Sequence, residues 1–335
     1  MNTQTISWTR GRAGRYSATA LGAAALALGA FAPAAAQAAA PTTLYVSQGG
    51  LDSGSCASAS PCATVSFALT KAASGATIKV SGTIIDQLSI QAPVTITTWP
   101  GGPAGSRAVL DGMPGETVVT VGVGVASVTL HDLTIENGIV GISNGGTLKL
   151  TDSTVSGNSE GGIASDSFTA TTVIDSTIVK NSANGNGDAG IFDNGGVVTV
   201  IASTVSDNTG VGIFVNGKAT LGATIVAGNS GGNCVQETAG SLGSAGYNLT
   251  NDKTGKACGF TAVTDRVNKN PLLGHLASNG GPTKTLLPAA TSPADDVIPK
   301  PVTLGGVAVC PGTDQRGVTR PARGETRCTI GAVEI

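Results

Sequence analysis

One phrase recurs five times between Val128 and Val235 and closes each time on asparagine. Its copies read Leu130-His131-Asp132-Leu133-Thr134-Ile135-Glu136-Asn137, Leu150-Thr151-Asp152-Ser153-Thr154-Val155-Ser156-Gly157-Asn158, Ile174-Asp175-Ser176-Thr177-Ile178-Val179-Lys180-Asn181, Ile201-Ala202-Ser203-Thr204-Val205-Ser206-Asp207-Asn208 and Leu221-Gly222-Ala223-Thr224-Ile225-Val226-Ala227-Gly228-Asn229. The closing asparagines lie 21, 23, 27 and 21 residues apart, and a Gly-Ile pair follows each of the first four at Gly141, Gly162, Gly190 and Gly212. Self-similarity at this period means a solenoid. Apolar residues alternate over runs too short for helix, and Val, Ile and Thr fill them, which favours strands. Stacked coils place such strands in register about 4.8 Å apart. Parallel crossovers coil right-handed. The expected fold is an all-β, right-handed parallel β-helix. Asn137, Asn158, Asn181, Asn208 and Asn229 then fall at one corner, where inward amides can form a hydrogen-bonded ladder from coil to coil.

The flanks are less regular. Residues 1–38 read as a signal peptide: Arg10, Arg12 and Arg15, an apolar stretch from Leu21 to Phe31, and cleavage after Ala36-Gln37-Ala38. Without its three arginines the net charge falls from −2 to about −5, with no basic stripe, which argues against nucleic-acid binding. Residues 39–335 form one domain, with regular coils over about 128–235. Val65, Ala68, Leu69 and Ala72 mark a short amphipathic helix placed to cover the open first coil. Residues 236–335 are read as final coils and an irregular C-terminal cap. The coil before Asn208 carries an insertion at 183–188. Six cysteines in three neighbouring pairs favour the disulfides Cys56–Cys62, Cys234–Cys258 and Cys310–Cys328, and an extracellular location with no transmembrane segment once the leader is removed.

Several of these stretches carry a resemblance. Leu44-Tyr45-Val46 with Cys56 and Pro61-Cys62, the Asn-ending repeats, Asn270-Pro271-Leu272-Leu273-Gly274, Asn279-Gly280-Gly281-Pro282-Thr283, Asp314-Gln315-Arg316-Gly317 and Ile330-Gly331-Ala332-Val333-Glu334 together resemble the choice-of-anchor Q domain proteins, bacterial exported β-helices of the pectin-lyase-like group. The resemblance implies a β-helix outside the cell, commonly tethered by a C-terminal anchor. Here Ser292-Pro293-Ala294-Asp295-Asp296 departs from the family pattern. The chain ends without a hydrophobic tail, so the expectation is free secretion or non-covalent attachment.

Candidate chemistry rests on one row of acids. Asp132, Asp152 and Asp175 share a phase in three successive coils, which Ala202 and Gly222 continue without acid. Adjacent coils would set the carboxylates roughly 5 Å apart, near the separation in retaining glycosidases, and all three are candidates to hold Ca²⁺. Asp152 and Asp175 are the catalytic candidates. The competing reading is that each Asp shapes the turn before a strand. The lyases of the wider group pair Ca²⁺-binding acids with a basic residue, and the regular coils hold no Arg and offer only Lys149, Lys180 and Lys218. Phe192 and Phe214, each after a Gly-Ile pair, are read as a core stack. Asp314 and Arg316 are read as a buried ion pair. The balance favours a secreted, non-catalytic surface or matrix protein binding polysaccharide or a cell-surface component without a cofactor. The alternative is a polysaccharide lyase or glycoside hydrolase.

Overall fold

The computed structural model describes residues 42–182 and 189–335. The leader and the insertion at 183–188, with Asp188, lie outside the described residues. Each regular coil holds three short strands, one in each of three parallel sheets. The first sheet contains Val128–His131, Thr147–Thr151, Ala170–Ile174, Val197–Ile201 and Lys218–Gly222. The second contains Leu133–Glu136, Thr154–Ser156, Thr177–Val179, Thr204–Ser206 and Ile225–Ala227. The third contains Val140–Asn144, Gly161–Ser165, Ala189–Asp193, Val211–Val215 and Cys234–Gln236. Identical phases stack: Leu130, Leu150, Val173, Val200 and Leu221 are register neighbours. Their side chains point inward and are fully buried. Burying such a side chain stabilises by roughly 1.5–3 kcal/mol, so stacking like on like supplies the core.

The register gives each letter of the Asp-Ser-Thr consensus its own task. Asp132, Asp152 and Asp175 occupy the corner between first and second sheets with φ of 56°, 51° and 43°, a left-handed conformation that Asp tolerates better than most residues. The next residue points inward and accepts the amide of the preceding coil. Ser153 Oγ takes Leu133 N–H at 3.1 Å, Ser176 Oγ takes Ser153 N–H at 3.2 Å, and Ser203 Oγ takes Ser176 N–H at 3.2 Å. The threonine that follows points out of the second sheet.

The asparagine ladder is real but starts one coil later than expected. Asn158 N–H donates to Asn181 Oδ1 at 3.3 Å, Asn181 N–H to Asn208 Oδ1 at 3.0 Å and Asn208 N–H to Asn229 Oδ1 at 3.1 Å; Asn233 closes the series. Asn137 does not join. Glu136 pairs with Ser156, so Asn137 stands beside Gly157 at a left-handed turn position, φ 65°, and bonds Asp111 from an exposed site. The first copy is one residue short of the ladder. The Gly-Ile pairs have a reason here too: a Cβ on Gly162 would lie 2.9 Å from Asn181 Nδ2, and one on Gly190 2.7 Å from Asn208 Nδ2. Phe192 and Phe214 are register neighbours on the outer face of the third sheet, half-buried with ring centroids 5.2 Å apart. They are not a core stack, because Ile191 and Ile213 take the inward positions.

The N-terminal end is closed by the expected helix, and the C-terminal end by a shorter stretch than the whole of 236–335. Helix Val65–Lys71, capped by the Thr64 hydroxyl, packs on the first coil with Val65 and Ala68 buried. At the other end the loop after Thr250 covers the last coil with buried Cys258 and Phe260, stapled by the Cys234–Cys258 bridge. Residues 270–335 are not an end cap. They run back along the solenoid as a strap of antiparallel hairpins over the outer side of the second sheet. Thr154 Oγ1 donates to Lys284 O at 2.6 Å, Thr177 Oγ1 to Gln315 Oε1 at 2.6 Å, and Ala332 N–H to Thr204 Oγ1 at 3.1 Å. A second apolar core lies beneath, where Ile201, Ala223, Ile225 and Leu249 meet Ala294, Ile298, Val309 and Ile330. The physical reason is that Thr154, Thr177, Thr204 and Ile225 leave this stretch of the face without charge, so that it takes cover. Gly222 pairs with Ile201, so Ala223 rather than Gly222 continues the Asp row. The Leu304 side chain fills the space a Cβ on Gly222 would occupy. The remaining bridges are Cys56–Cys62 and Cys310–Cys328, the latter within the strap. Asp314 is fully buried, and Arg316 Nη2 lies 2.7 Å from its Oδ2.

Candidate functional site

The acid row divides into two environments. His131 ends its strand on the outer face of the first sheet, level with Thr151 of the next coil. Its Nε2 lies 3.2 Å from Asp132 Oδ2, its Nδ1 3.2 Å from Asp152 Oδ2 and 2.9 Å from Thr151 Oγ1. The imidazole side chain is 39% exposed, so the cluster opens to solvent. An imidazole facing a carboxylate from each nitrogen is suited to carrying a proton on both. The hydrogen bond to Asp152 raises the His131 pKa; burial opposes this, and the charges of Asp132 and Asp152 add to it. Asp132 is itself raised, first by desolvation. Lys149, exposed one coil on, acts in the other direction on His131.

Asp175 belongs elsewhere. Its Oδ1 lies 3.3 Å from Nη2 of Arg320, a fully buried strap residue that also donates to Thr329 O and Gly331 O. Desolvation under the strap pushes the Asp175 carboxyl up to about 7, against the lowering effect of Arg320. The structure thus gathers Asp132 and Asp152 around His131 and commits Asp175 to the strap. The three-carboxylate Ca²⁺ set is not assembled at one point. The donor set around His131, one imidazole between two carboxylates, is poorer in oxygen than Ca²⁺ demands. Sequence reasoning placed the acids in phase but overlooked His131; its position directly before Asp132 and level with Thr151-Asp152 was the available signal. Arg320 lies 145 residues from Asp175 and left no local trace.

A crystal structure of a pectate lyase, Pel9A, matches with a TM-score of 0.53 at 14% identity, covering 87% of this chain and 96% of that one. The fold is that of the pectin-lyase-like β-helices. No family model and no curated protein matches the chain. At this identity the β-helix matches in backbone course, while the strap and the His131 cluster are described by this chain's own residues. Among the described residues no helix is long and apolar enough to cross a membrane.

Proposed function

We propose that this protein is an exported polysaccharide-degrading enzyme acting on uronate-containing glycan laid along the outer face of the first sheet. The observation that carries this is His131, held between Asp132 and Asp152 on an open face with Lys149 beside it. A polyuronate brings regularly spaced carboxylates to a flat surface. Lys149 meets that charge; in its unprotonated form the His131–Asp152 pair takes the C5 proton, the C4–O bond breaks as the C4=C5 double bond forms, and the proton passes to the leaving oxygen. The solved structure it resembles is a pectate lyase, so eliminative cleavage is the reaction tested first. The three disulfides support an oxidising compartment. A second reading, a non-catalytic glycan binder, is favoured by one observation: both ring nitrogens are already occupied by carboxylates.

Incubation with polygalacturonate, read at the absorbance of unsaturated uronates and by new reducing ends, decides between them. Cleavage lowered about 100-fold or more in His131→Ala and in Asp152→Asn is expected. Binding without any product, in wild type and variants alike, establishes the binder. Activity surviving both substitutions removes the cluster from the chemistry.

A further inference from the structure

We propose that Tyr45, Trp99 and Lys79 form a separate subsite that stacks a uronate sugar at the N-terminal end of the same face. Tyr45, Lys79, Thr97, His131 and Thr151 are successive register neighbours, all outward and partly exposed. Three coil steps, roughly 14 Å, therefore separate Tyr45 from His131, a span for an oligosaccharide rather than a single sugar. The Tyr45 and Trp99 rings sit 4.7 Å apart, tilted by 60°, and the Lys79 Nζ lies 5.9 Å from the Tyr45 ring centre. Neither the phenolic hydroxyl nor the indole N–H is hydrogen-bonded to a described residue. Aromatic rings with free polar tips offer a flat apolar face to the C–H side of a pyranose and a donor to its hydroxyls, and the ammonium selects a carboxylate.

The pair is also held in place. A Cβ on Gly102 would fall 2.9 Å from the indole, so only glycine lets the Trp99 loop lie this close, and Gly102 N–H closes the turn on Trp99 O at 3.1 Å. The same loop continues to Pro103, one wall of a cleft of about 620 Å³ whose other walls include Ser47, Gln48, Leu51 and Ser60. Hydroxyls, an amide and glycine backbone suit a hydroxyl-rich ligand beside the rings.

The identity of the sugar rests on the proposed function; the existence of the stacking site does not. Trp8 and Trp99 are the two tryptophans of the chain and Trp8 lies in the leader, so in the protein without residues 1–38 Trp99 fluorescence reports this site. Titration with hexagalacturonate is expected to give a saturable change. The Kd should rise about tenfold in Tyr45→Ala and in Lys79→Met. Lys79→Met touches only an outer side chain, so it serves should Tyr45→Ala misfold. An unchanged Kd in Lys79→Met, equal affinity for cellohexaose, or no saturable signal overturns the proposal. Loss of cleavage with retained fluorescence binding separates failure of the enzyme reading from failure of this one.

Discussion

The most exacting positions in this chain are those with positive φ at the sheet corners. One row runs Asp132, Asp152, Asp175, Ala202, Ala223, and a second runs Asn137, Gly157, Lys180, Asp207, Gly228. The same geometry is met by Asp, Asn and Gly where they occur, and by Ala and Lys at a cost. Lys180 is exposed with φ 55°, between coils that use Gly157 and Asp207 at the same point. Lys180→Gly should therefore stabilise the protein by about 0.5–1 kcal/mol, relief of left-handed strain less the added unfolded-chain entropy; urea denaturation measures it. The acids at this corner were legible in the sequence as turn formers or as a site, and the structure uses them as both. Every one of the three shapes its turn, and two also hold His131. No spacing rule distinguishes Asp152 from Asp175, because the difference is made by which of them the strap covers.

At the scale of the coil, stability depends on polar ladders as much as on the apolar stack. Asn181 accepts from the main chain and side chain of Asn158 and donates to Val155 O at 3.1 Å and to Asn208 Oδ1 at 3.0 Å, all buried. Asn181→Ala leaves several buried groups unpaired and should cost roughly 2–4 kcal/mol. Thermal unfolding against Asn137→Ala, an exposed position outside the ladder, provides the comparison, with little change expected there. The ladder's existence could be read from the Asn spacing. Its true starting point could not, since one residue fewer in the first copy shifts Asn137 from an inward position to a turn. The serine ladder went unread because serine is common on outward positions as well, and sequence alone does not show which way it points.

For the whole molecule the decisive element is the strap. It makes the second sheet a buried interface and leaves the first open. Its ties are fixed by Gln315 among Ser153, Thr154 and Thr177, and by Arg320 at Asp175. The Asp175 carboxyl keeps its proton up to about pH 7 in the folded chain, whereas an unfolded one releases it near 3.8. Stability should accordingly fall as pH rises between these values and level off above them, by on the order of a few kcal/mol. His131 adds in the same sense: its raised pKa contributes stability below about 6.5 that is lost as pH rises through the folded value. Denaturation across pH 4–8 tests this, and Asp175→Asn should flatten the lower part of the dependence while leaving the His131 part.

A repeating pattern of side chains determines a repeating backbone by itself, because each coil buries its inward residues only against the like residues of its neighbours. The β-helix, the corner, the asparagine series and the pairing of neighbouring cysteines were therefore open to reading from local spacing. The return path of residues 270–335, the burial of Asp175 by Arg320, the outward placing of Phe192 and Phe214, and the meeting of Tyr45 with Trp99 were decided only in three dimensions. They are contacts between segments that share no period, and their energy comes from shape and charge met across the surface rather than from any order along the chain.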